Sequence, residues 1–268
     1  MAKAEVVLAF SGGLDTSFCV PWLTEQGYEV VTLFVDTGGV DADERQYIED
    51  RAYALGAKEH LVAEVGQEIW DEVVVPLVRG GKSYQNQYPL LCSDRYLIVR
   101  KSLDVCRERG TNLFAHGCTG MGNDQVRFDL TVRALGDFEI LAPIREIQRE
   151  IDNVRDFEKA YLKERGFDVR AKTSAYTINE NLLGVTTSGS EVDRWDTPGE
   201  ETYKLTAHPS DWPDTPLRVE LTFEQGVPVA LDGERLAGPD MLLALNEAEG
   251  DAKLRWTRRT AQVRLGNS

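Results

Sequence analysis

Positive charge is what this 268-residue chain lacks most: 30 Lys and Arg stand against 45 Asp and Glu, a formal net charge of −15 at pH 7. Phosphate backbones and anionic lipid surfaces need Lys and Arg to neutralise them, so neither nucleic acid nor membrane is expected as a main partner. Histidine is also scarce. His60, His116 and His208 do not cluster along the chain, which predicts no metal site built from imidazoles. The four cysteines, Cys19, Cys92, Cys106 and Cys118, form no C-x-x-C pair. That spacing favours reduced thiols over zinc or a disulfide framework, and small buried side chains over nucleophiles. No apolar run approaches the ~18 residues of a membrane span. Met1-Ala2-Lys3-Ala4 passes directly into a strand-like run, which fits no signal peptide and predicts a cytoplasmic protein.

What is present suffices for a core, since 42% of residues are hydrophobic. The length allows one large domain or two ordinary ones. Strand-like runs at 5–10, 29–35, 112–115 and 139–142 alternate with helix-like runs at 16–26, 43–55, 67–75 and 93–109. Such alternation predicts an α/β fold on a parallel sheet. Pro21 is expected to bend the first helix or force its early start. After Gly166 the character changes. Alternation at 217–223, a turn at Glu224-Gln225-Gly226, a return at 227–231 and Asp232-Gly233 predict a hairpin in a mixed second domain, with a helix at 242–249. Residues 252–268 carry five basic residues and no acid, and read as a partner-binding tail or a non-native end.

Two segments carry chemistry. In the first, Ala9-Phe10-Ser11-Gly12-Gly13-Leu14-Asp15-Thr16-Ser17 follows an apolar strand and opens a helix. A strand–glycine–helix junction aims backbone N–H groups and a helix dipole at one point, which suits a phosphate. Ser11, Thr16 and Ser17 add hydroxyls, and Asp15 is the expected N-cap. Neither the Walker pattern nor G-x-G-x-x-G is there. On glycine and serine alone, an anion loop and an ordinary capped turn are equally good readings. The second segment, His116-Gly117-Cys118-Thr119-Gly120-Met121-Gly122-Asn123-Asp124-Gln125-Val126-Arg127-Phe128, follows a buried strand. Its glycines and its dense polar set suggest a ligand loop, and Arg127 can clamp a carboxylate or phosphate. A flexible loop with a polar rim is the plainer alternative. Ligands of open parallel sheets lie beyond the carboxyl ends of the strands, where both segments and Val35 fall.

Taken with Ala142-Pro143-Ile144-Arg145-Glu146 and Asn179-Glu180-Asn181-Leu182, these segments resemble argininosuccinate synthase over nearly the whole chain. The resemblance implies an ATP pyrophosphatase (PP-loop, adenine nucleotide α-hydrolase-like) domain at 1–168, followed by an α+β synthetase domain at 169–268. It implies a ligase that joins citrulline and aspartate through a citrullyl-adenylate, using ATP and Mg2+ and releasing AMP and pyrophosphate. It also implies a homo-oligomer. Carried over by position, Ala9 to Ser17, Val35, His116 and Gly117 would hold ATP. Thr119, Asn123 and Asp124 would hold aspartate. Tyr88, Ser93, Asn123, Arg127, Thr177 and Thr186 would hold citrulline. On residue type alone, Tyr88 reads as a packed loop aromatic, and Thr177 and Thr186 as strand-edge residues.

The chain also departs from the family pattern. Met121 stands where many members have Lys. The family's GVGR segment, a Glu and a Tyr that contact citrulline, and its C-terminal tetramer helix have no counterpart, so the synthetase domain is expected to be incomplete. Two other readings remain at this point: a different ATP pyrophosphatase, or a nucleotide-binding protein without ligase activity.

Overall fold

A computed structural model describes residues 4–81, 91–120, 122–169, 177–188, 218–236 and 238–252, with single positions 196, 199, 202 and 205; at 177, 178, 188 and 247–252 only the backbone is described. The chain forms two compact units, Met1–Val65 with Cys92–Lys172, and Gly66–Leu91 with Thr173–Ser268.

The first unit is built on five parallel strands: β1 (Glu5–Ala9), β2 (Glu29–Asp36), β3 (Glu59–Glu64), β4 (Leu113–Ala115) and β5 (Glu139–Leu141). Their order is β3-β2-β1-β4-β5. The chain builds outward from β1 to one edge, then returns to β1's other side and builds to the opposite edge. β1 and β2 are nearly continuous apolar runs because both faces of a parallel sheet are covered. Val6, Leu8 and Phe10 join one core with Phe18, Ile48, Ala52, Ile144, Tyr161 and Leu162. These come from α1 (Leu14–Glu25), α2 (Ala42–Ala54), α7 (Pro143–Ile147) and α8 (Val154–Glu164). Phe18 and Tyr161 meet edge to face at 4.8 Å, tying α1 to α8. Helix α5 (Asp94–Arg109) lies against β1 and β4, and packs with α6 (Asn123–Leu135).

Two expectations change here. Helix α1 begins at Leu14 and runs through Pro21, which is buried within it. The N-cap is Gly13, with no side-chain cap bond, so Asp15 is a first-turn acid rather than the cap. An acid there still complements the dipole. The polar stretch from Asn123 onward is helix, not loop. Gly122 is its N-cap, and Phe128 and Val132 are buried one turn apart.

In the second unit, α3 (Gly66–Ile69), a π turn at Trp70–Val74 and α4 (Val75–Gly80) form one helical run. Pro76 explains the wide turn, since its ring excludes the carbonyl four residues back and it has no N–H to donate. Helix α9 (Gly238–Ala252) lies on this run; a Cβ at Gly238 would sit 2.5 Å from the Trp70 ring, so only glycine fits. Strands β6 (Thr177–Asn181) and β7 (Gly184–Ser188) form a hairpin. Asn181 fixes its turn, accepting from Leu183 N–H (2.9 Å) and donating to the Leu91 carbonyl (2.8 Å). Strands β8 (Leu221–Glu224), β9 (Val227–Leu231) and β10 (Glu234–Arg235) form an antiparallel sheet in the order β10-β9-β8. Both of its turns have positive φ at their two central residues, Gln225-Gly226 and Asp232-Gly233, as hairpins of this hand require. The helix expected at 242–249 lies within α9. The tail beyond residue 252 lies outside the described residues.

Candidate active site

Strand order reverses between β1 and β4, and the loops after these strands meet there. The first loop is held by its own hydroxyls. Ser11 N–H donates to Thr16 Oγ1 (3.3 Å), Thr16 Oγ1 donates to the Gly13 carbonyl (3.3 Å) and Ser17 Oγ donates to the Gly12 carbonyl (3.3 Å). Gly12 has φ +72°, a conformation that glycine adopts without strain. Ser11 and Gly13 are exposed while Ser17 is buried, so the loop presents its first turn to solvent and roots its last residue.

The second loop touches the first. A Cβ at Gly117 would lie 3.1 Å from Thr16 Cγ2, 3.2 Å from Thr16 N and 3.3 Å from the Asp15 carbonyl carbon. Glycine at 117 is what lets the two loops close. A hydrogen-bonded frame fixes the second loop from behind. Cys118 N–H donates to His116 Nδ1 (3.2 Å), so the ring proton sits on Nε2, which faces Asp129 Oδ1 (3.3 Å). Gln125 Nε2 (2.9 Å) and Arg145 Nη1 (2.7 Å) donate to the other oxygen of Asp129. Burial alone would raise the Asp129 pKa, but hydrogen bonds from His116, Gln125 and Arg145 outweigh it and hold the carboxyl well below the usual range. Further along, Gly120 N–H donates to Gln148 Oε1 (2.6 Å).

At the start of α6, Asp124 lies between two guanidinium groups. Arg127 Nη1 is 2.7 Å from its Oδ1, and Arg95 Nε is 3.2 Å from its Oδ2. Asn123 is exposed beside them and Thr119 is half-buried. Val35 is buried near the end of β2, where Asp36 and Glu64 both pair with Arg45. Ser93 is buried at the N-terminus of α5. The site residues taken from the sequence thus gather as a loop pair around Ser11–Ser17 and Gly117, with a polar group opening α6. Thr177 and Thr186 belong to the β6–β7 hairpin of the second unit, Thr186 exposed and opposite Asn179. Tyr88 and Met121 lie outside the described residues.

Four charged residues near these loops belong to no motif in the sequence: Arg51, Asp129, Arg155 and Glu158. Glu158 is fully buried on α8, and among the described residues neither carboxylate oxygen has a hydrogen-bond partner. Burial, then the charge of Asp15, pushes its pKa up to about 8 against the opposing pull of Arg155 and Lys159. Asp15 is itself raised by burial, with Arg155 opposing. The signal for these residues was periodicity. Arg51 falls on the apolar stripe Ile48, Ala52, Leu55, and Glu158 precedes Tyr161 and Leu162 on the buried face of α8. Cys19 and Cys106 are buried, and burial pushes the Cys106 and Cys118 thiols up to about 12, which leaves them protonated and unreactive. Cys92 and Cys118 are only half-buried. Among the described residues no helix is long and apolar enough to cross a membrane.

A parallel sheet whose glycine loops meet at its strand-order reversal defines an open α/β unit of the kind that takes ligands beyond its strand ends. Residues 5–168 match the family described as "Arginosuccinate synthase N-terminal HUP domain", and residues 176–254 match "Arginosuccinate synthase C-terminal domain". The chain belongs to the argininosuccinate synthase family. It is 59% identical over 246 residues to argininosuccinate synthase of Xanthomonas campestris pv. campestris, covering 92% of this chain and 62% of that protein. The corresponding protein of Xylella fastidiosa is 58% identical over 247 residues, with 92% and 62% covered. That of Ligilactobacillus salivarius is 39% identical over 254 residues, with 93% and 62% covered. The chain therefore spans about three fifths of the length of the curated relatives it matches.

Proposed function

We propose that the protein is an argininosuccinate synthase, ligating citrulline and aspartate at the expense of ATP cleaved between its α and β phosphates. The observation that carries the reading is the contact of Gly117 with Thr16, which sets a glycine–serine anion loop against a second polar loop at the strand-order reversal. The triphosphate would lie on the N–H groups of Ser11 to Ser17 at the start of α1, with Val35 beside the adenine and His116 and Gly117 closing the loop pair. Mg2+ would arrive as the counter-ion of ATP. Among the described residues no group of three His, Cys, Asp or Glu is placed to hold a metal, so phosphate oxygens and water would supply most of its ligands.

The amino acids would bind where α6 opens. Asp124 faces two guanidinium groups and its charge is balanced, so it can accept from the amine of aspartate without repelling the substrate's carboxylates. Thr119 and Asn123 would complete that site. Arg127 would orient citrulline together with Ser93 and Asn123, and the family resemblance assigns Tyr88, Thr177 and Thr186 to citrulline as well. The ureido oxygen of citrulline would attack the α-phosphate, and the aspartate amine would then displace AMP. The protein's contribution is positioning and neutralisation of the leaving pyrophosphate. A homo-oligomer in the cytoplasm is part of the same proposal.

The test is labelled ATP with citrulline, with and without aspartate, followed for AMP and pyrophosphate. Release of both only when the amino acids are present supports the reading. ADP and orthophosphate as the main products overturn it, and ATP binding without turnover identifies a nucleotide-binding segment instead.

A further inference from the structure

Helix α2 touches the first loop at two successive turns, and neither contact is made by a residue assigned to ligand binding. Ile48 lies under Gly12: a Cβ at Gly12 would meet Ile48 Cγ1 at 3.0 Å. One turn on, Arg51 is only 9% exposed, and its Nε donates to Ser17 Oγ (3.2 Å). The Ser17 hydroxyl accepts this bond and donates its own proton to the Gly12 carbonyl (3.3 Å), while Ser17 N–H bonds the Gly13 carbonyl (2.9 Å).

We propose that Arg51 is a positioning residue for the nucleotide loop, acting through the Ser17 hydroxyl on the Gly12 carbonyl. The proposal rests on the reading of Ser11–Ser17 as an ATP loop.

A long, rotamer-rich cation is costly to bury, and Arg51 stands on the apolar stripe of its helix between Ile48 and Leu55, where a hydrocarbon side chain would cost less. The Asp168 carboxylate contributes favourable charge, but the hydrogen bond from Arg51 Nε goes to the loop. The arrangement does two things for an anion. It occupies a backbone carbonyl whose negative end would otherwise oppose a triphosphate. It also sets a fixed positive charge one hydrogen bond from the loop, in a buried setting where charge acts at longer range than in water. This matters in a chain so short of positive charge.

The experiment measures Mg·ATP affinity by calorimetry, and thermal unfolding, for the full chain and for Arg51→Met, Arg51→Lys, Ser17→Ala and Arg51→Met/Ser17→Ala. Arg51→Met is expected to weaken ATP binding about tenfold, as loss of a charge-assisted hydrogen bond does, with partial recovery in Arg51→Lys. In the Ser17→Ala background the Arg51 substitution is expected to add nothing further, because the link it acts through is already cut. A purely structural arginine would lower the unfolding temperature and leave affinity unchanged, or would weaken binding equally in both backgrounds; either result overturns the proposal. If Arg51→Met does not fold, the same cycle run with Arg51→Lys decides by the same criterion. Failure of the unaltered chain to bind Mg·ATP would instead remove the loop reading itself, and this proposal with it.

Discussion

Arg127 and Asp124 are joined on the first turn of α6, Nη1 to Oδ1 at 2.7 Å, and Arg95 holds the carboxylate's other oxygen at 3.2 Å. The pair presents opposite charges side by side, which would match the zwitterionic ends of the proposed amino-acid substrates better than either residue alone. Arg127→Lys keeps the charge but loses the planar fork. It is expected to cost roughly 1.5–3 kcal/mol of citrulline affinity, with ATP affinity unchanged. Citrulline titration of the two proteins reads the difference, and native affinity in the lysine variant would refute the role.

Gly117→Ala tests the contact between the loops. The new methyl would press on Thr16 N, a backbone atom that cannot swing aside. A stability loss of about 1–3 kcal/mol is expected for such overpacking, together with a fall in ATP affinity. Denaturant melts and calorimetry measure the two, and unchanged ATP binding would mean that loop contact is not needed for the nucleotide.

Ser11→Ala and Asp15→Ala are expected to weaken ATP binding much more than they lower stability. Ser11 is exposed and bonds only within its own loop, so a surface substitution there is expected to change stability by about 0.5 kcal/mol or less. Equal affinity in both variants and the unaltered chain, by calorimetry, would count against the phosphate loop.

Glu158 makes folding pH-dependent. Its ordinary value is 4.5, and in the folded chain it is pushed up to about 8. Between those values the folded state keeps a proton that the unfolded state has released. Glu158 therefore lowers stability progressively as pH rises through that window, by about 1.4 kcal/mol per pH unit. Glu158→Gln removes the titration, so its stability relative to the unaltered chain should rise from about pH 5 to about pH 8. Urea melts across that range check it, and a difference that does not vary with pH would refute a neutral buried Glu158.

How much of this was legible in the sequence depends on how each element is buried. β1 and β2 are covered on both faces, and their unbroken apolar runs announced them. β3, with the sequence Glu59-His60-Leu61-Val62-Ala63-Glu64, is an edge strand. Its apolar stretch is only Leu61-Val62-Ala63, flanked by Glu59-His60 and Glu64, too short a run to stand out. Helix α6 was hidden by the glycines before it and by the polar side chains on its first turn; only Phe128 and Val132, four apart, mark its buried face. The glycine loops were legible because backbone geometry and anion binding restrict residue choice there. Arg51, Asp129 and Glu158 were not, since groups that set their behaviour, Ser17 for Arg51, His116 and Arg145 for Asp129 and Asp15 for Glu158, come beside them only after folding.

The two loops reach each other because Leu8 pairs with Ala115 across the sheet, bringing together segments far apart in sequence. That pairing closes a long stretch of chain, which is slow because the entropy of closure is paid before the contacts return it. Neither loop meets its neighbour until β4 has docked beside β1. The proposed nucleotide site is therefore incomplete until that pairing forms. A nascent chain released before β4 has emerged carries the glycine–serine motif without the surface that completes it, and ATP capture by a growing chain would time the arrival of that strand.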